Sequence, residues 1–361
     1  MMGMTNRKHV YVAMSGGVDS AVTAARLLDA GYQVTGIHMS TWKDPKWLAE
    51  TADLPSPVSL AQATATFLDI PFVNLDVREP FYRQVVQSFI QQYLKGHTPN
   101  PCMFCNPEVK WGLLQGYALS HGGDYFATGH YARLTRSTDG AVHLLKGADP
   151  TKDQSYVLSL LSQEQLQTTL LPLGEWTKAQ VREQAARMGL QVADQQDSQD
   201  LCFLGTVHYR DFLERYAPEA EQPGKIVDPQ GKVLGQHEGL AFYTIGQRKG
   251  IRIAAPEPYY VIRKDAERNE LVVGFAEQTG VGQLTADRVN WIAGAPPALA
   301  ETYQVMIRYR AKPVEGRLIF AEKGKIKLEF RDKIRGVSPG QVVVLYRGEE
   351  CLGGGVIQSA D

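Results

Sequence analysis

The chain is poor in cysteine. Four stand among its 361 residues: Cys102, Cys105, Cys202 and Cys351. That is too few for a disulfide scaffold at this length, so reactive or metal-binding thiols in a reducing compartment are expected. No run of about 18 apolar residues occurs, which excludes a membrane-spanning helix. The opening segment, MMGMTNRKHVYVAMSGG, has a short apolar stretch that runs straight into a glycine turn. It lacks an apolar region of signal-peptide length and a small-residue cleavage site. The expectation is a cytoplasmic protein with no membrane partner. No charge predominates either: 38 Lys and Arg meet 39 Asp and Glu, for a net charge of −1. A surface coated in basic residues is therefore excluded, but a local one is not. Residues 301–335 hold ten Lys or Arg against five Asp or Glu. There is no internal repeat and no low-complexity tract.

What is present is an ordinary globular composition, 43% hydrophobic and 21% charged, long enough for two or three domains with substantial cores. Residues 9–14 read as a buried strand, 21–30 as a helix closed by Gly31, and 33–39 as the next strand. Helix-like 58–69, strand-like 71–75, an amphipathic helix over 81–95 and a strand over 125–128 follow. Strands alternating with helices imply a doubly wound parallel sheet, an α/β fold. Beyond it, 133–136 and 142–146 read as a hairpin about Asp139-Gly140. Residues 177–188 read as a helix with Thr177 and Gln180 as its capping box. After about Gly205 strands dominate, with a hairpin over 259–263 and 271–274. Short strands over 287–357 suggest a small β-barrel. The expected division is an α/β catalytic domain at 1–205, a small linking domain at 206–280 and a C-terminal barrel at 281–361.

The first strand enters Ser15-Gly16-Gly17-Val18-Asp19-Ser20 and then a helix. The glycines let backbone N–H groups approach an anion, and the helix N-terminus favours phosphate there. Asp19 is awkward beside polyphosphate, and bound Mg²⁺ is the simplest resolution. No Lys follows the glycines, so this is not a Walker A loop; a third glycine is missing, so it is not a dinucleotide fingerprint. SGGVDS is similar to the signature of the PP-loop ATP pyrophosphatases. That resemblance implies ATP cleavage between the α and β phosphates, with adenylation of a carbonyl oxygen. It implies nucleotide binding by Ala13, Met14, Ser15, Gly16, Gly17, Val18, Asp19 and Ser20, with Met39 near the adenine.

The segment Thr98-Pro99-Asn100-Pro101-Cys102-Met103-Phe104-Cys105-Asn106 is stiffened by two prolines. Its CxxC is half a zinc site with no second half in the sequence, a redox pair, or an accident of structure. Cys202 stands between Leu201 and Phe203, where core filling is the bland alternative; Cys351 has only that alternative.

Seven segments in order, SGGVDS, TPNPCMFCN, ATGHYAR, KDQSYVLS, the Cys202 segment QDLCFLG, TIGQRKG and IRYR, together closely resemble the tRNA-specific 2-thiouridylases, the MnmA/TrmU family. The resemblance covers almost the whole chain. It implies sulfur insertion at the 2-position of the wobble uridine in the tRNAs for Lys, Glu and Gln. Cys202 would carry a persulfide, and Cys105 would be the nucleophile that releases its sulfur, leaving a Cys105–Cys202 disulfide. A cysteine desulfurase or a sulfur-relay protein is implied as donor, and the chain is expected to be a monomer. Gly129 would lie near ATP. Asn100, Pro101, Cys102, His130, Lys152, Asp153, Gln154, Arg308, Tyr309, Arg310 and Gln341 would contact tRNA. Alternation over 303–310 would put Arg308 and Arg310 on one strand face, suited to phosphate. Many members carry an Asp where this chain has Cys102, so any acid–base role of that Asp does not transfer. Three cysteines also allow an iron–sulfur cluster on Cys102, Cys105 and Cys202.

Two rivals stand beside this reading. One is another PP-loop ligase or synthetase, which would adenylate a small molecule and need no cysteine pair. The other is a non-catalytic RNA-binding protein with a decayed nucleotide loop, which would release no pyrophosphate.

Overall fold

The computed structural model describes residues 7–51, 54–190, 192 and 201–361. The apolar run HVYVA has no polar face to show to water. It forms β1 (His9–Ala13), with Val10 and Val12 fully buried. β2 (Gln33–Ser40), β3 (Phe72–Asp76) and β4 (Tyr125–Ala127) follow in the chain. After the hairpin of β5 (Ala132–Arg136) and β6 (Val142–Lys146) comes the short β7 (Thr169–Leu170). Five of these make an all-parallel sheet in the order β3-β2-β1-β4-β7.

Alternation along β1 divides the core between the two faces of the sheet. Val10 and Val12 pack with Ala24 and Leu27 of the helix Val18–Asp29 and with Ala61 and Ala65 of the helix Pro57–Phe67. Tyr11 faces the other way, into a cluster with Phe81, Phe89, Val109 and Leu114. Helices on both faces make the sheet doubly wound. The two helical segments on the Tyr11 face are not uniform. Arg78–Leu94 passes through a π turn at Tyr82–Gln87, and the segment from Cys102 to Ser120 through another at Asn106–Leu114. The capping box of Thr177 and Gln180 opens the helix Lys178–Arg187 as the sequence suggested.

The middle region pairs β8 (Gly224–Val227), β9 (Val233–His237), β10 (Tyr260–Asp265) and β11 (Glu270–Gly274) in the order β10-β11-β8-β9. The hairpin expected there is β10–β11. The C-terminal strands are β12 (Gly280–Trp291), β13 (Thr302–Met306), β14 (Val314–Glu322), β15 (Lys325–Arg335), β16 (Val342–Arg347) and β17 (Glu350–Ala360). They run β12-β15-β14-β13-β16-β17, and β17 pairs back onto β12, closing a six-stranded barrel. Leu284, Val305, Leu318, Leu328 and Ile357 fill it. β12 begins seven residues before the sequence reading placed the first strand, at Gly280 rather than Asp287.

The β5–β6 hairpin leaves the first domain to join this barrel. Leu144 and Leu145 of β6 pair with Cys351 and Glu350 of β17. Among the described residues no helix is long and apolar enough to cross a membrane.

Candidate functional site at the carboxyl edge of the parallel sheet

The nucleotide-binding residues expected from sequence come together where β1, β2 and β4 end. Gly16 has φ +87°, and a Cβ there would lie 2.6 Å from the Pro57 carbonyl oxygen. Only glycine fits. Gly17 caps the helix Val18–Asp29 without any side-chain hydrogen bond, which leaves N–H groups at that helix start available to an anion. Ser20 ties the turn: its hydroxyl donates to the Gly17 carbonyl at 2.9 Å and accepts from the Ser15 N–H at 3.2 Å. Met14 lies buried, its carbonyl accepting from His38 Nδ1–H at 2.7 Å. Met39 is half-buried near the end of β2. Gly129, two residues past β4, packs on the Asp19 backbone so closely that a Cβ would come within 3.0 Å. These residues offer a polyphosphate a bare, donor-rich cradle.

Asp19 corrects one expectation. Its carboxylate meets the Lys178 ammonium at 2.7 and 2.8 Å and accepts from the Tyr131 hydroxyl at 2.7 Å. The cation that resolves its charge belongs to the protein, so Asp19 does not call for Mg²⁺. Neither Lys178 nor Tyr131 was singled out in the sequence. Lys178 sits 159 residues away in a plain helical start, and no local pattern joins it to the glycine turn.

Cys105 and the neighbours of Cys202 pack in the core on the Tyr11 face of the sheet. Asn100 Oδ1 accepts from the Cys102 N–H at 3.2 Å and starts the turn Cys102–Cys105. Cys105 is buried; Cys102 and Cys202 are exposed. Cys202 is anchored through its neighbours. Phe203 is buried among Phe81, Phe89 and Phe212, and its carbonyl accepts from the Asp44 N–H at 3.0 Å. A Cβ on Gly205 would strike the Trp47 indole at 2.2 Å. Gln199 and Asp200, at the start of the Cys202 segment, lie outside the described residues. Core filling therefore does not describe Cys202, whereas Cys351 is fully buried and does fit that reading.

Charge links the three thiols. Burial raises Cys105 to about 12; Lys110 opposes this, while Cys202 and Cys102 add to it. Cys202 has an open side, but its surroundings push it up to about 11, with Cys102 raising it and Lys110 and Lys43 lowering it. Cys102 is raised too, by loss of water around the sulfur although part of the residue is open to solvent. Residues 97 positions apart in sequence thus share one electrostatic environment. Two links tie it to the nucleotide cradle. Lys43, beside Cys202, also lowers His38, which bonds Met14. Lys110, beside Cys105, lies 3.4 Å from His130 Nε2, next to Gly129. Among the described residues no three His, Cys, Asp or Glu are grouped to hold a metal ion. The three cysteines, as placed, do not make the ligand set of a cluster.

His130 is a neutral imidazole. Burial first, then Lys110, holds it well below its ordinary range. The ammonium donates to Nε2, so Nδ1–H donates to Thr128 Oγ1 at 2.7 Å. Several of the residues expected at tRNA are committed to the fold. Asp153 accepts from the N–H groups of Gly147 and Ser155 and from the Ser155 hydroxyl. Gln154 accepts from the Tyr131 N–H at 2.9 Å. Lys152 lies in the turn just before them and is half-buried. Arg308 and Arg310 do not share a strand face, because β13 ends at Met306 and they fall in the turn beyond it. Arg310 has φ +61° and its guanidinium lies over the Tyr309 ring. Tyr309 itself reaches the Asp153 carbonyl at 3.5 Å. Gln341 donates its amide to the Thr98 carbonyl at 2.7 Å, and the Thr98 N–H donates to the Pro339 carbonyl at 2.9 Å. The barrel thus grips the segment that carries Asn100, Pro101 and the first cysteines.

Comparison with known proteins matches the same three regions. Residues 8–206 match the family described as tRNA methyl transferase HUP domain. Residues 210–275 match the tRNA methyl transferase PRC-barrel domain, and 281–357 the aminomethyltransferase beta-barrel domain. A tRNA-specific 2-thiouridylase MnmA of Carboxydothermus hydrogenoformans is 46% identical, over 99% of each chain. Proteins of the same name from Geobacter metallireducens and Geotalea uraniireducens are 44% and 43% identical, covering 98% and 100% of this chain and 98% and 97% of theirs.

Proposed function

The chain belongs to the family of tRNA-specific 2-thiouridylases, and from that premise we propose that it inserts sulfur at the 2-position of the wobble uridine in the tRNAs for Lys, Glu and Gln. What supports this reading is the electrostatic coupling of Cys105 to Cys202 and, through Lys110 and Lys43, to His130 and His38 beside the glycine turn. Methyl transfer, in the wording of the matched domains, would give paired thiols next to a polyphosphate cradle no task. A small-molecule ligase would not need the barrel's grip on the cysteine segment.

ATP would be held by residues 13–20, Met39 and Gly129, with Mg²⁺ on its phosphates. Bound there, it supplies an adenylyl group that turns the uridine 2-oxygen into a leaving group as pyrophosphate departs. The chain's own residues do the sulfur chemistry. Cys202 takes a persulfide from a cysteine desulfurase or a sulfur-relay protein. The Cys105 thiolate attacks Cys202 Sγ; a Cys105–Cys202 disulfide forms, and the terminal sulfur leaves as hydrosulfide. Hydrosulfide adds at C2 of the base, and AMP departs with the oxygen. A dithiol reductant then restores both thiols. No step uses an iron–sulfur cluster.

Asn100 and Pro101 would stand beside the extruded base with Cys102. His130, Lys152, Asp153, Gln154, Arg308, Tyr309, Arg310 and Gln341 would line the path of the tRNA. The working units would be a catalytic domain at 1–205, a linking domain at 206–280 and a tRNA-contacting barrel at 281–361, acting as a cytoplasmic monomer.

The test is nucleoside mass analysis after incubating the protein with unmodified tRNA, ATP and a persulfide donor. The proposal expects 2-thiouridine from the native chain and none from Cys105→Ser or Cys202→Ser. Thiolation that survives either substitution would overturn the mechanism, and its absence from the native chain would overturn the function.

A further inference from the structure

Among the described residues Lys110 makes no ion pair with a carboxylate. It is half-buried, a setting in which lysine ordinarily pairs with a carboxylate. Its one hydrogen-bonding contact among the described residues is His130 Nε2, 3.4 Å away. That imidazole is neutral and offers a lone pair but no charge. The acidic side chain nearest in sequence, Glu108, is raised by burial and lowered by Arg288 of the barrel. The guanidinium of Arg288 also covers the Phe104 ring, 4.9 Å from its centroid.

The backbone explains why Lys110 faces sulfur. In an ordinary α-helix, residues five apart stand about 140° apart around the axis. Asn106–Leu114 is a π-helical segment capped at its start by Cys105, and its i→i+5 repeat turns position 110 closer to the side of position 105 than an α-helix would. π turns are costly and concentrate at functional sites. Lys110 contacts His130 from the β4 edge, and its charge lowers Cys105 on its own segment, Cys102 one turn earlier and Cys202 from the anchored segment, while Glu108 raises Cys105. Lys43 also lowers Cys202, and its ammonium lies 4.5 Å from the centre of the Trp47 ring.

We infer that Lys110 is the counter-cation of the sulfur nucleophile, placed by the π turn to pair with the Cys105 thiolate and with the persulfide anion on Cys202. The inference rests on the sulfur-transfer reading for its purpose, but not for its test. It completes the chemistry. Buried thiols favour the neutral form, and an attacking thiolate needs a nearby positive charge. A lysine that pairs with no carboxylate among the described residues gives its charge to whichever sulfur is anionic at each stage.

Alkylation by iodoacetamide, read cysteine by cysteine by peptide mass spectrometry from pH 7 to 10, tests this on the full chain without tRNA or ATP. Lys110→Gln should slow Cys105 and Cys202 about 10-fold at a fixed pH, equal to a rise of about one unit in the thiol pKa. Lys110→Arg, which keeps the charge, should stay within about 3-fold of the native chain, and Cys351 should not change. Thermal melts confirm folding, and Lys110→Met replaces the Gln variant if that one is unfolded. Equal alkylation rates in native and charge-free chains would overturn the inference. Failure of thiolation in the native chain would instead overturn the function and leave this readout intact.

Discussion

Asp19 and Lys178 form an ion pair across 159 residues of chain, the ammonium 2.7 Å from one carboxylate oxygen and 2.8 Å from the other. The pair joins the first turn of the helix that starts the nucleotide cradle to the first turn of the helix Lys178–Arg187. The lysine is 11% and the carboxylate 33% exposed in their side chains, so screening is incomplete. Lys178→Met leaves the Asp19 carboxylate, beside the proposed phosphate site, without this cation. We expect a loss of stability of about 1–3 kcal/mol and a KM for ATP raised by about 10-fold or more. Lys178→Arg should recover much of both. Denaturant unfolding and ATP-dependent pyrophosphate release check the two effects. A double-mutant cycle with Asp19→Asn should show coupling of about 1 kcal/mol. Additive single effects would show that the pair is incidental.

Gly16→Ala should do more damage than its size suggests. The residue has φ +87°, and an added Cβ would sit 2.6 Å from a backbone oxygen that cannot swing away. The backbone conformation alone costs about 1–3 kcal/mol, and the clash must move the helix Pro57–Phe67 or the turn itself. Gly140→Ala, at φ +87° in an open hairpin turn with nothing within 4 Å of the added atom, is the control for strain without a clash. ATP binding should be lost in the first and retained in the second, with thermal melts separating folding from function.

The contrast between these two sites shows what was legible in the sequence. SGGVDS is local: strand, turn and helix start follow from six consecutive residues, and the structure puts them where they were expected. The doubly wound sheet was legible too, because buried parallel strands read as apolar runs. Lys178, Tyr131 and Lys110 were not, because each acts through a contact set by topology or by a π turn. Neither leaves a period in the sequence. The barrel was legible as a class, but its edges were not. Alternation in 303–310 continues past Met306, where the chain turns and carries Arg308 and Arg310 off the strand. The β5–β6 hairpin was legible, but its pairing with β17 of the barrel was not.

Lys264 predicts a pH dependence. Its side-chain nitrogen donates to the Tyr243 carbonyl at 2.7 Å, and burial lowers its pKa from 10.5 to about 7. Between those values the unfolded chain holds a proton that the folded chain does not. Stability is therefore lost as pH falls from about 10.5 to 7, and is level below. Lys264→Met removes that loss. The unfolding free energy of the variant should exceed the native one most at pH 7 and below, by on the order of 1–3 kcal/mol, and the gain should vanish towards pH 10.5. The carbonyl of Tyr243, left without its donor, trims the gain by about 1 kcal/mol at every pH. A difference independent of pH would show that Lys264 is not buried as an uncharged amine.

Gln341 and Arg310 were both expected at the tRNA, yet their contacts assign them different effects. Gln341 spends its amide on the Thr98 carbonyl, four residues before Cys102, so its first effect is on the cysteine segment. Arg310 lies over the Tyr309 ring and is absent from the chain's ion pairs among the described residues, so its charge is available to phosphate. Gln341→Ala should lower kcat for thiolation several-fold, at a cost of about 1 kcal/mol in the brace, with tRNA affinity changed less. Arg310→Ala should weaken tRNA binding and reduce the slope of log affinity against log salt by about 1, with kcat at saturating tRNA preserved. Steady-state kinetics at two salt concentrations separate the two. If Gln341→Ala changed only affinity and its salt slope, the amide would have to leave Thr98 for the RNA, and the bracing role would fall.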